Sequence, residues 1–139
     1  MEKIVFHPEI HTYHIDFAGH VSNIVYIKWM EIGRLKLLAA AGMALVDIMA
    51  GDIRPVLAKT EITYKSPLYL GDVVRVELWI GTLRQTSAEM VFRIYRNDNE
   101  LAARATQNGL FVSARTLKPY RLSAGERELF IPFVRQGAD

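Results

Sequence analysis

The chain has 139 residues, half of them hydrophobic and 23% charged, with a formal net charge of +2 at pH 7. This composition excludes a disordered or collagen-like chain, and the length suits one domain, which we predict to span residues 1–139. Cysteine is absent, which excludes disulfides, thiolate metal sites and a cysteine nucleophile.

Two features argue against secretion and membrane insertion. The N-terminus lacks the long apolar core of a signal peptide. The apolar stretch 24–46 is interrupted by Lys28, Glu31, Arg34 and Lys36, which excludes a membrane-spanning helix. We therefore expect a soluble cytoplasmic protein that has no membrane partner.

The first predicted element is a strand from about Lys3 to Ile15. Polar and apolar residues alternate toward its end, as they do in a half-buried strand. Pro8 within this strand indicates an edge position or a bulge, because proline cannot donate a ladder hydrogen bond. Gly19 marks the break that follows.

One long helix is predicted next, over Ile24–Ala41. Ser22 or Asn23 is a suitable N-cap, and Gly42 is a suitable residue to end the helix. Apolar residues surround most of the cylinder, so we expect the helix to be buried on nearly all sides. These residues are Ile24, Ile27, Met30, Ile32, Leu35, Leu37 and Leu38. A short second helix is predicted over Ala44–Ala50.

The remaining chain is predicted to form strands separated by short turns. The strands span Val56–Lys65, Val73–Leu83, Thr86–Arg96 and Leu101–Ala114, and the tail Lys118–Asp139 is polar with a weak apolar pattern. Consecutive strands joined by tight turns imply an antiparallel sheet. Since only one long helix is available to cover the sheet, the predicted architecture is α+β. The expected assembly is a homo-oligomer, either a dimer or a tetramer.

An acid, a glycine turn and a helix start follow one another between Asp16 and Asn23, which are seven residues apart. A carboxylate is suited to act as a general base or as a nucleophile. The first N–H groups of a helix have no partner within it and carry partial positive charge, so they are suited to stabilise an oxyanion. The two features are close enough to act on one carbonyl group.

The same residues resemble a known family. The pattern is Asp16-x-x-Gly19-His20-Val21-x-Asn23-x-x-Tyr26, followed by Glu31-x-x-Arg34 and by Pro67-x-x-x-Gly71-Asp72. It is similar to the hotdog-fold acyl-CoA thioesterases, in the branch of 4-hydroxybenzoyl-CoA thioesterase and the short-chain acyl-CoA thioesterases of the Tol-Pal gene cluster. The stretch 118–122 also resembles plant and cyanobacterial thioesterases that act on fatty acyl-ACP or dihydroxynaphthoyl-CoA.

The resemblance implies an antiparallel sheet wrapped around one long central helix. It also implies a hydrolase of acyl-CoA or acyl carrier protein thioesters that needs no metal or cofactor, with coenzyme A entering only as part of the substrate. Asp16 falls on the family's catalytic aspartate, and Asn23 falls on its backbone N–H donor to the oxyanion. Tyr26 matches a pocket residue, and Gly19 and His20 are implied to bind substrate beside it.

Three charged residues are further candidates for substrate binding. Glu31 lies in the middle of an apolar stripe, and another branch of hotdog thioesterases uses a helix glutamate as an active-site acid. A structural role, as an ion pair with Arg34 or a bond to a neighbouring subunit, is the favoured explanation, because Asp16 already supplies the acid. Arg84 lies in the region that contacts the CoA phosphates in the benzoyl-CoA relatives, and Lys59 is another available cation. A solvated strand face is the structural alternative for both cations.

Structural and functional alternatives also remain open around Asp16. An acid before a glycine turn often serves the turn itself by accepting backbone hydrogen bonds. His14 stands where the family often has a second acid, which alters the charge near Asp16. The rival functions are a hotdog enoyl-CoA hydratase, whose catalytic His–acid signature is missing here, and a non-catalytic acyl-thioester-binding protein, against which Asp16 argues.

Several other site types are excluded by the sequence. It contains no Gly-x-Ser-x-Gly motif, no Gly-rich phosphate loop and no clustered basic footprint for nucleic acid. His7 and His11 would lie about 13 Å apart on a strand, too far to share one metal ion. We therefore expect neither a metal site nor a nucleic-acid partner.

Overall fold

A computed structural model describes residues 2–135, which form five strands and three α-helices. In chain order these are β1 (Ile4–Phe6), α1 (Asn23–Ala40), α2 (Leu45–Ala50), β2 (Ile53–Tyr64), β3 (Val74–Leu83), β4 (Ser87–Arg96), β5 (Glu100–Ser113) and α3 (Ala124–Phe130). Short 3₁₀ turns cover Thr12–His14 and Ile131–Phe133. Residues 1 and 136–139 of the predicted domain 1–139, the latter also part of the predicted tail Lys118–Asp139, lie outside the described residues.

All five strands join in one antiparallel sheet with the order β1-β3-β4-β5-β2. Strands β3, β4 and β5 follow one another directly, so tight turns connect them and their hydrophobic residues pair across neighbouring strands. Leu78 faces Phe92, and Phe92 faces Ala105. The 12-residue strand β2 lies at one edge, and within residues 2–135 it pairs only with β5.

The sheet wraps around α1, and Gly33 sets how closely the two approach. A Cβ atom at this position would lie only 3.2 Å from the Phe6 ring, 3.3 Å from Leu78 and 3.4 Å from Phe92. The absence of a side chain therefore allows the helix to press onto the sheet. The buried residues of α1 are Val25, Tyr26, Trp29, Met30, Gly33 and Leu37. The predicted α+β architecture is confirmed.

The prediction that α1 is buried on nearly all sides is wrong. Ile24 is 63% exposed, Ile27 is 42% exposed, and Ile32 and Leu35 are exposed to a similar degree. The physical reason is that a single sheet covers one side of a helix only. The outward side carries an apolar stripe with Glu31 at its middle, and we refer to Ile24, Ile27, Glu31 and Leu35 together as the outward stripe.

The predicted first strand is wrong beyond Phe6. Backbone N–H groups that a strand would need for pairing in the sheet form local hydrogen bonds instead. The His11 N–H donates to Nδ1 of His14 at 3.0 Å, and the His14 N–H donates to the His11 carbonyl at 2.9 Å. Together with Pro8, which has no N–H to donate, these bonds form a 3₁₀ turn instead of a strand.

The helix α3 was missed in the polar tail. Its start is a capping box in which Ser123 Oγ accepts the Glu126 N–H and the Glu126 carboxylate accepts the Ser123 N–H. The Ser-x-x-Glu spacing was visible in the sequence and is the usual signal for a helix start. Phe130 at the end of α3 is buried against the core.

Candidate functional site

A tight hairpin presents Asp16. Ile15 and Val21 form an antiparallel bridge, the Gly19 N–H donates to the Asp16 carbonyl at 3.0 Å, and the Asp16 N–H donates to the His20 carbonyl at 3.1 Å. Gly19 has φ of +86°, in the left-handed region that glycine adopts at little cost. The sequence Asp-x-x-Gly therefore specifies this turn, and the turn fixes the backbone that carries the carboxylate.

The carboxylate of Asp16 is partly exposed and takes part in a single hydrogen bond within residues 2–135. One oxygen accepts the Ala18 N–H at 2.9 Å, which is the turn-stabilising role expected as the structural alternative. No other hydrogen bond from residues 2–135 reaches this carboxylate. The turn thus orients the side chain with one oxygen and leaves the second oxygen available for a water molecule or a substrate.

The N-terminus of α1 follows the hairpin directly. Ser22 is the N-cap: its Oγ accepts the Ile24 N–H at 3.4 Å, and its carbonyl accepts the Val25 N–H at 3.0 Å. The Ser22 N–H in turn donates to the His14 carbonyl at 2.9 Å, which ties the helix start to the preceding 3₁₀ turn. Within residues 2–135, the Asn23 N–H has no hydrogen-bond acceptor, so this donor is available to a ligand.

Two tyrosines support the helix start from the side. The Tyr64 hydroxyl, at the end of β2, donates to the Asn23 carbonyl at 3.3 Å, and its ring meets that of Tyr26 edge-on with centroids 5.0 Å apart. Tyr26 is only 2% exposed, and burial raises its pKa to about 12, so its hydroxyl stays neutral. The resemblance implies that Tyr26 lies in the substrate pocket; in this chain it is a buried residue that packs against Tyr64 beside the helix start.

The histidines around the hairpin have separate surroundings. The half-buried His20 has Nδ1 3.3 Å from the Val21 carbonyl oxygen and meets the Tyr69 ring edge-on. The His14 ring packs edge-on against Trp29, and burial, followed by His11 and Lys28, lowers the pKa of His14. The sequence analysis treated His14 as a replaced acid and missed that its ring packs on Trp29 and its carbonyl accepts the Ser22 N–H, so that both hold the segment before Asp16.

The three charged candidates lie apart from the hairpin contacts. Glu31 is mostly exposed on the outward stripe, with its Oε1 3.8 Å from Nη2 of Arg34. Lys59 Nζ is 2.7 Å from Glu61 Oε1 on the exposed side of β2, and this partner raises the pKa of Lys59. Arg84 follows β3 and lines a surface cleft. No side chain of the hairpin lines that cleft.

A hydrogen-bonded chain that sequence reasoning missed crosses the interior beside α1. Arg34 Nη1 donates to Gln107 Oε1 at 2.7 Å, and Gln107 Nε2 donates to Thr60 Oγ1 at 3.1 Å. Gln107 is fully buried. Arg34 lines an apolar cavity of about 100 Å³ between the second half of α1 and the sheet.

Residues 2–135 contain neither a cluster of metal ligands nor a membrane-spanning helix. No three histidine, aspartate or glutamate side chains converge there as a metal site requires. No helix in this range combines the length and apolarity of a membrane span.

Comparison with known proteins identifies the family. The model of the thioesterase-like superfamily matches residues 10–130. The chain belongs to this superfamily. The match covers the Asp16 hairpin, α1 and all of the strands after it, so the resemblance inferred from the motifs is confirmed, as is the predicted class of enzyme, a thioesterase.

Two bacterial relatives are similar over most of their length. YneP of Bacillus subtilis (strain 168), named as an acyl-CoA thioesterase, is 28% identical over 111 residues, which cover 80% of each chain. YbgC of Escherichia coli O157:H7, named as an acyl-CoA thioester hydrolase, is 25% identical over 124 residues, which cover 88% of this chain and 92% of YbgC.

A solved structure confirms the fold of this superfamily member. The DHNA-CoA thioesterase of Staphylococcus aureus superposes with a TM-score of 0.87 over 95% of this chain and 91% of the other, at 20% identity. At that identity the likeness shows the fold alone. It confirms the predicted hotdog arrangement, in which an antiparallel sheet wraps one long helix.

Proposed function

We propose that this thioesterase hydrolyses an acyl-CoA thioester at the junction of the Asp16 hairpin and α1. The observation that carries the proposal is the pairing of a turn-held carboxylate with a helix N-terminus whose Asn23 N–H has no partner within residues 2–135. Acid and oxyanion donor are the two elements that acyl transfer needs. The names of YneP and YbgC support acyl-CoA as the substrate class.

The reaction has a defined role for each group. The thioester carbonyl oxygen accepts the Asn23 N–H, which stabilises the negative charge that forms on this oxygen. Asp16 removes a proton from water while the water oxygen bonds to the carbonyl carbon. The C–S bond then breaks as the carbonyl reforms, and the thiolate leaves and is protonated. In the alternative route an Asp16 oxygen bonds to the carbonyl carbon, the C–S bond breaks and the thiolate leaves, and water then opens the resulting anhydride.

Single-turnover hydrolysis in ¹⁸O-water has one outcome that only the nucleophile route produces. If Asp16 is the nucleophile and water opens the anhydride at the aspartyl carbonyl, the label enters the Asp16 carboxylate. If Asp16 is a general base, the label appears only in the released acid. Mass spectrometry of the peptide that contains Asp16 gives the result.

The central test of the proposal is Asp16→Asn. Asparagine keeps an oxygen that accepts the Ala18 N–H, so the hairpin is retained while the proton acceptor is lost. We expect thiol release from acyl-CoA to fall by about 10²–10⁴-fold. Asp47→Asn, an exposed acid on α2, is the matched control and should keep the parent rate. Equal rates in Asp16→Asn and the parent would refute the proposed chemistry.

The thiol portion of the substrate has a cationic cleft available to it. Arg84, Arg121 and Arg127 line one surface cleft, and among residues 2–135 no acidic side chain lines it. Arginines suit the phosphate groups of coenzyme A, and the resemblance placed Arg84 in this role. Arg84→Gln is therefore expected to raise KM for acyl-CoA about fivefold or more without a matching loss of kcat. If the natural substrate is an acyl carrier protein thioester and the cleft does not bind coenzyme A, Arg84→Gln should leave the KM for acyl-CoA unchanged.

The protein is further proposed to act as a homo-oligomer, built from a dimer through β2. This long edge strand exposes Val56, Leu57 and Tyr64, and an edge left open is a hazard that pairing removes. Antiparallel pairing of two β2 strands about Thr60 would place Lys59 of each copy opposite Glu61 of the other. The strand is thus self-complementary in charge.

Light scattering after size-exclusion chromatography tests the dimer. Lys59→Glu places two acids opposite each other, so it should weaken the dimer, and Lys59→Glu with Glu61→Lys should restore it. A monomer in the parent protein, or a dimer insensitive to both variants, would refute pairing through β2.

A further inference from the structure

The two groups of the proposed site lie on separate elements. Asp16 belongs to the hairpin, and the Asn23 N–H belongs to the start of α1. Hydrolysis needs both groups at one carbonyl, and a misplacement of about 1 Å can cost on the order of 10²-fold in rate. The geometry of the site therefore depends on the contacts that bridge the hairpin and the helix.

His14 bridges these two elements at two points. Its carbonyl accepts the N–H of Ser22, the N-cap of α1, at 2.9 Å. Its ring packs edge-on against Trp29, with ring centroids 6.3 Å apart. Trp29 lies more than one turn beyond Asn23 on α1 and is only 3% exposed, so it is a firm point of attachment. A contact at the helix start alone would let the hairpin pivot, whereas a second contact further along the helix opposes that movement.

The turn that contains His14 fixes the orientation of its ring. Nδ1 accepts the His11 N–H at 3.0 Å, and the ring meets the rings of His11 and Tyr13 edge-on. The next residue, Ile15, has extended backbone angles, with φ of −89° and ψ of 129°. In an extended segment the side chains of residues two apart point to the same side. Asp16 is thus carried on the side of the segment that His14 attaches to α1.

The neutral form of the His14 ring is the one that makes these contacts. A ring nitrogen that accepts an N–H carries no proton, so the proton of the neutral ring is on Nε2. Protonation of Nδ1 would set two N–H groups against each other and break the bond with His11. The titratable groups that face the ring are His11 and Tyr13 from its own turn and Lys28 from α1. Burial, followed by His11 and Lys28, lowers the pKa of His14 and so keeps the ring neutral near pH 7.

We propose that His14 is a positioning residue whose neutral ring holds the Asp16 hairpin in place relative to the Asn23 N–H. The inference rests on the proposed acyl-CoA hydrolysis, because it concerns the placement of the two groups of that site. A carboxylate at position 14 could accept the His11 N–H, but it could not pack an aromatic ring on Trp29. Loss of the ring should therefore slow the chemical step more than it weakens substrate binding, and acidification should have the same effect.

Steady-state kinetics with acyl-CoA separate these two effects. His14→Ala removes both the acceptor and the ring, and we expect kcat at pH 7.5 to fall about tenfold or more while KM changes little. His14→Asn, whose Oδ1 can replace Nδ1 as the acceptor, should recover part of the loss. His14→Phe keeps a ring for Trp29 without an acceptor and should also be intermediate. His7→Gln, which changes an exposed histidine, is the matched control and should keep the parent rate.

The pH profile of kcat distinguishes positioning from a general loss of stability. In the parent, kcat should fall as pH decreases from 7.5 to 5.0, because burial places the pKa of His14 below its usual 6.5. Circular dichroism at each pH restricts the comparison to folded protein. His14→Asn keeps an acceptor that does not titrate in this range, so its profile should lack this fall. His7→Gln should follow the parent profile.

Two results would overturn the inference while leaving the proposed function intact. One is a parental kcat in folded His14→Ala, and the other is an equal fall at low pH in His14→Asn and the parent. Should His14→Ala not fold, the profiles of His14→Asn and the parent carry the test. Asp16→Asn in the same assay reports on the proposed function itself. If this variant matches the parent rate, the proposed chemistry fails and the inference fails with it.

Discussion

The two sides of α1 are both apolar, but they meet different surroundings. On the sheet side Met30 is fully buried and Gly33 lies in close contact with β1, β3 and β4. On the other side the outward stripe places Ile27 at 42% exposure around the mostly exposed Glu31. The first side stabilises the folded chain, whereas the second is left largely uncovered by residues 2–135. Hydrophobicity alone therefore does not tell which face of a helix makes the core.

The comparison is tested most directly by shortening one residue on each side. Met30→Ala removes a fully buried side chain and should lower the free energy of unfolding by about 2–5 kcal/mol, through lost burial and the cavity left behind. Ile27→Ala should cost less than about 1 kcal/mol if the outward stripe is solvent-exposed. Urea unfolding of both variants gives the values.

Protein concentration sharpens that comparison. If a second copy covers the outward stripe, the loss of unfolding free energy caused by Ile27→Ala, relative to the parent, should grow as the protein is concentrated. The loss caused by Met30→Ala, relative to the parent, should be the same at every concentration. Equal costs for the two variants at the lowest concentration would contradict the difference between the two sides of α1.

A pH series tests the contact between His14, which precedes the hairpin, and Trp29, which lies on the buried side of α1. Burial lowers the folded-state pKa of His14, so the unfolded chain binds the proton more readily than the folded one. Stability is therefore expected to fall as pH drops below about 6.5, the pKa of an unfolded histidine. Protonation at Nδ1 would also remove the hydrogen bond from the His11 N–H.

Thermal unfolding between pH 7.5 and 5.0 measures this effect. His14→Gln should show a flatter fall of Tm than the parent, while His7→Gln, an exposed residue, should follow the parent curve. The charged groups that influence His14, namely His11 and Lys28, stay in place in both variants. A parallel fall in His14→Gln and the parent would assign the pH dependence to other groups.

The smallest expected effect concerns the outer support of the helix start. Tyr64→Phe removes the hydroxyl that donates to the Asn23 carbonyl but keeps the ring against Tyr26. The bond is 3.3 Å long and partly exposed, so we expect a loss of about 0.5–1 kcal/mol in unfolding free energy. A loss above that of Met30→Ala would place the main support of α1 at its N-terminal contact with β2 instead of on the buried side around Met30.

Local signals predicted most of the fold. The helix α1, the short α2 and the strands β2 to β5 lie close to the predicted ranges, because periodicity and turn residues act over a few neighbouring positions. The strand beyond Phe6 was wrong because side-chain bonds from His14 and the presence of Pro8 override an alternating pattern. Burial around α1 was wrong because the number of covering layers is a tertiary property.

In the candidate site, too, only the features that depend on neighbouring residues in the sequence could be predicted. Asp16 and Asn23 are joined by one turn, so their proximity follows from the local sequence. The chain Arg34–Gln107–Thr60 joins residues 73 and 47 positions apart, and no local pattern announces such a contact. The missed residues are therefore those whose position depends on strand order and register.

The turn at Gly19 restricts the handedness of the residue there. Apart from its two chain neighbours, no residue of the described range 2–135 has an atom within 4 Å of the position that an L-residue's Cβ would take, so crowding does not exclude a side chain. The obstacle is the positive φ of 86°, which L-residues reach with strain and which D-residues prefer. Chemical synthesis with D-alanine at position 19 is thus expected to stiffen the loop that carries Asp16, whereas L-alanine would strain it.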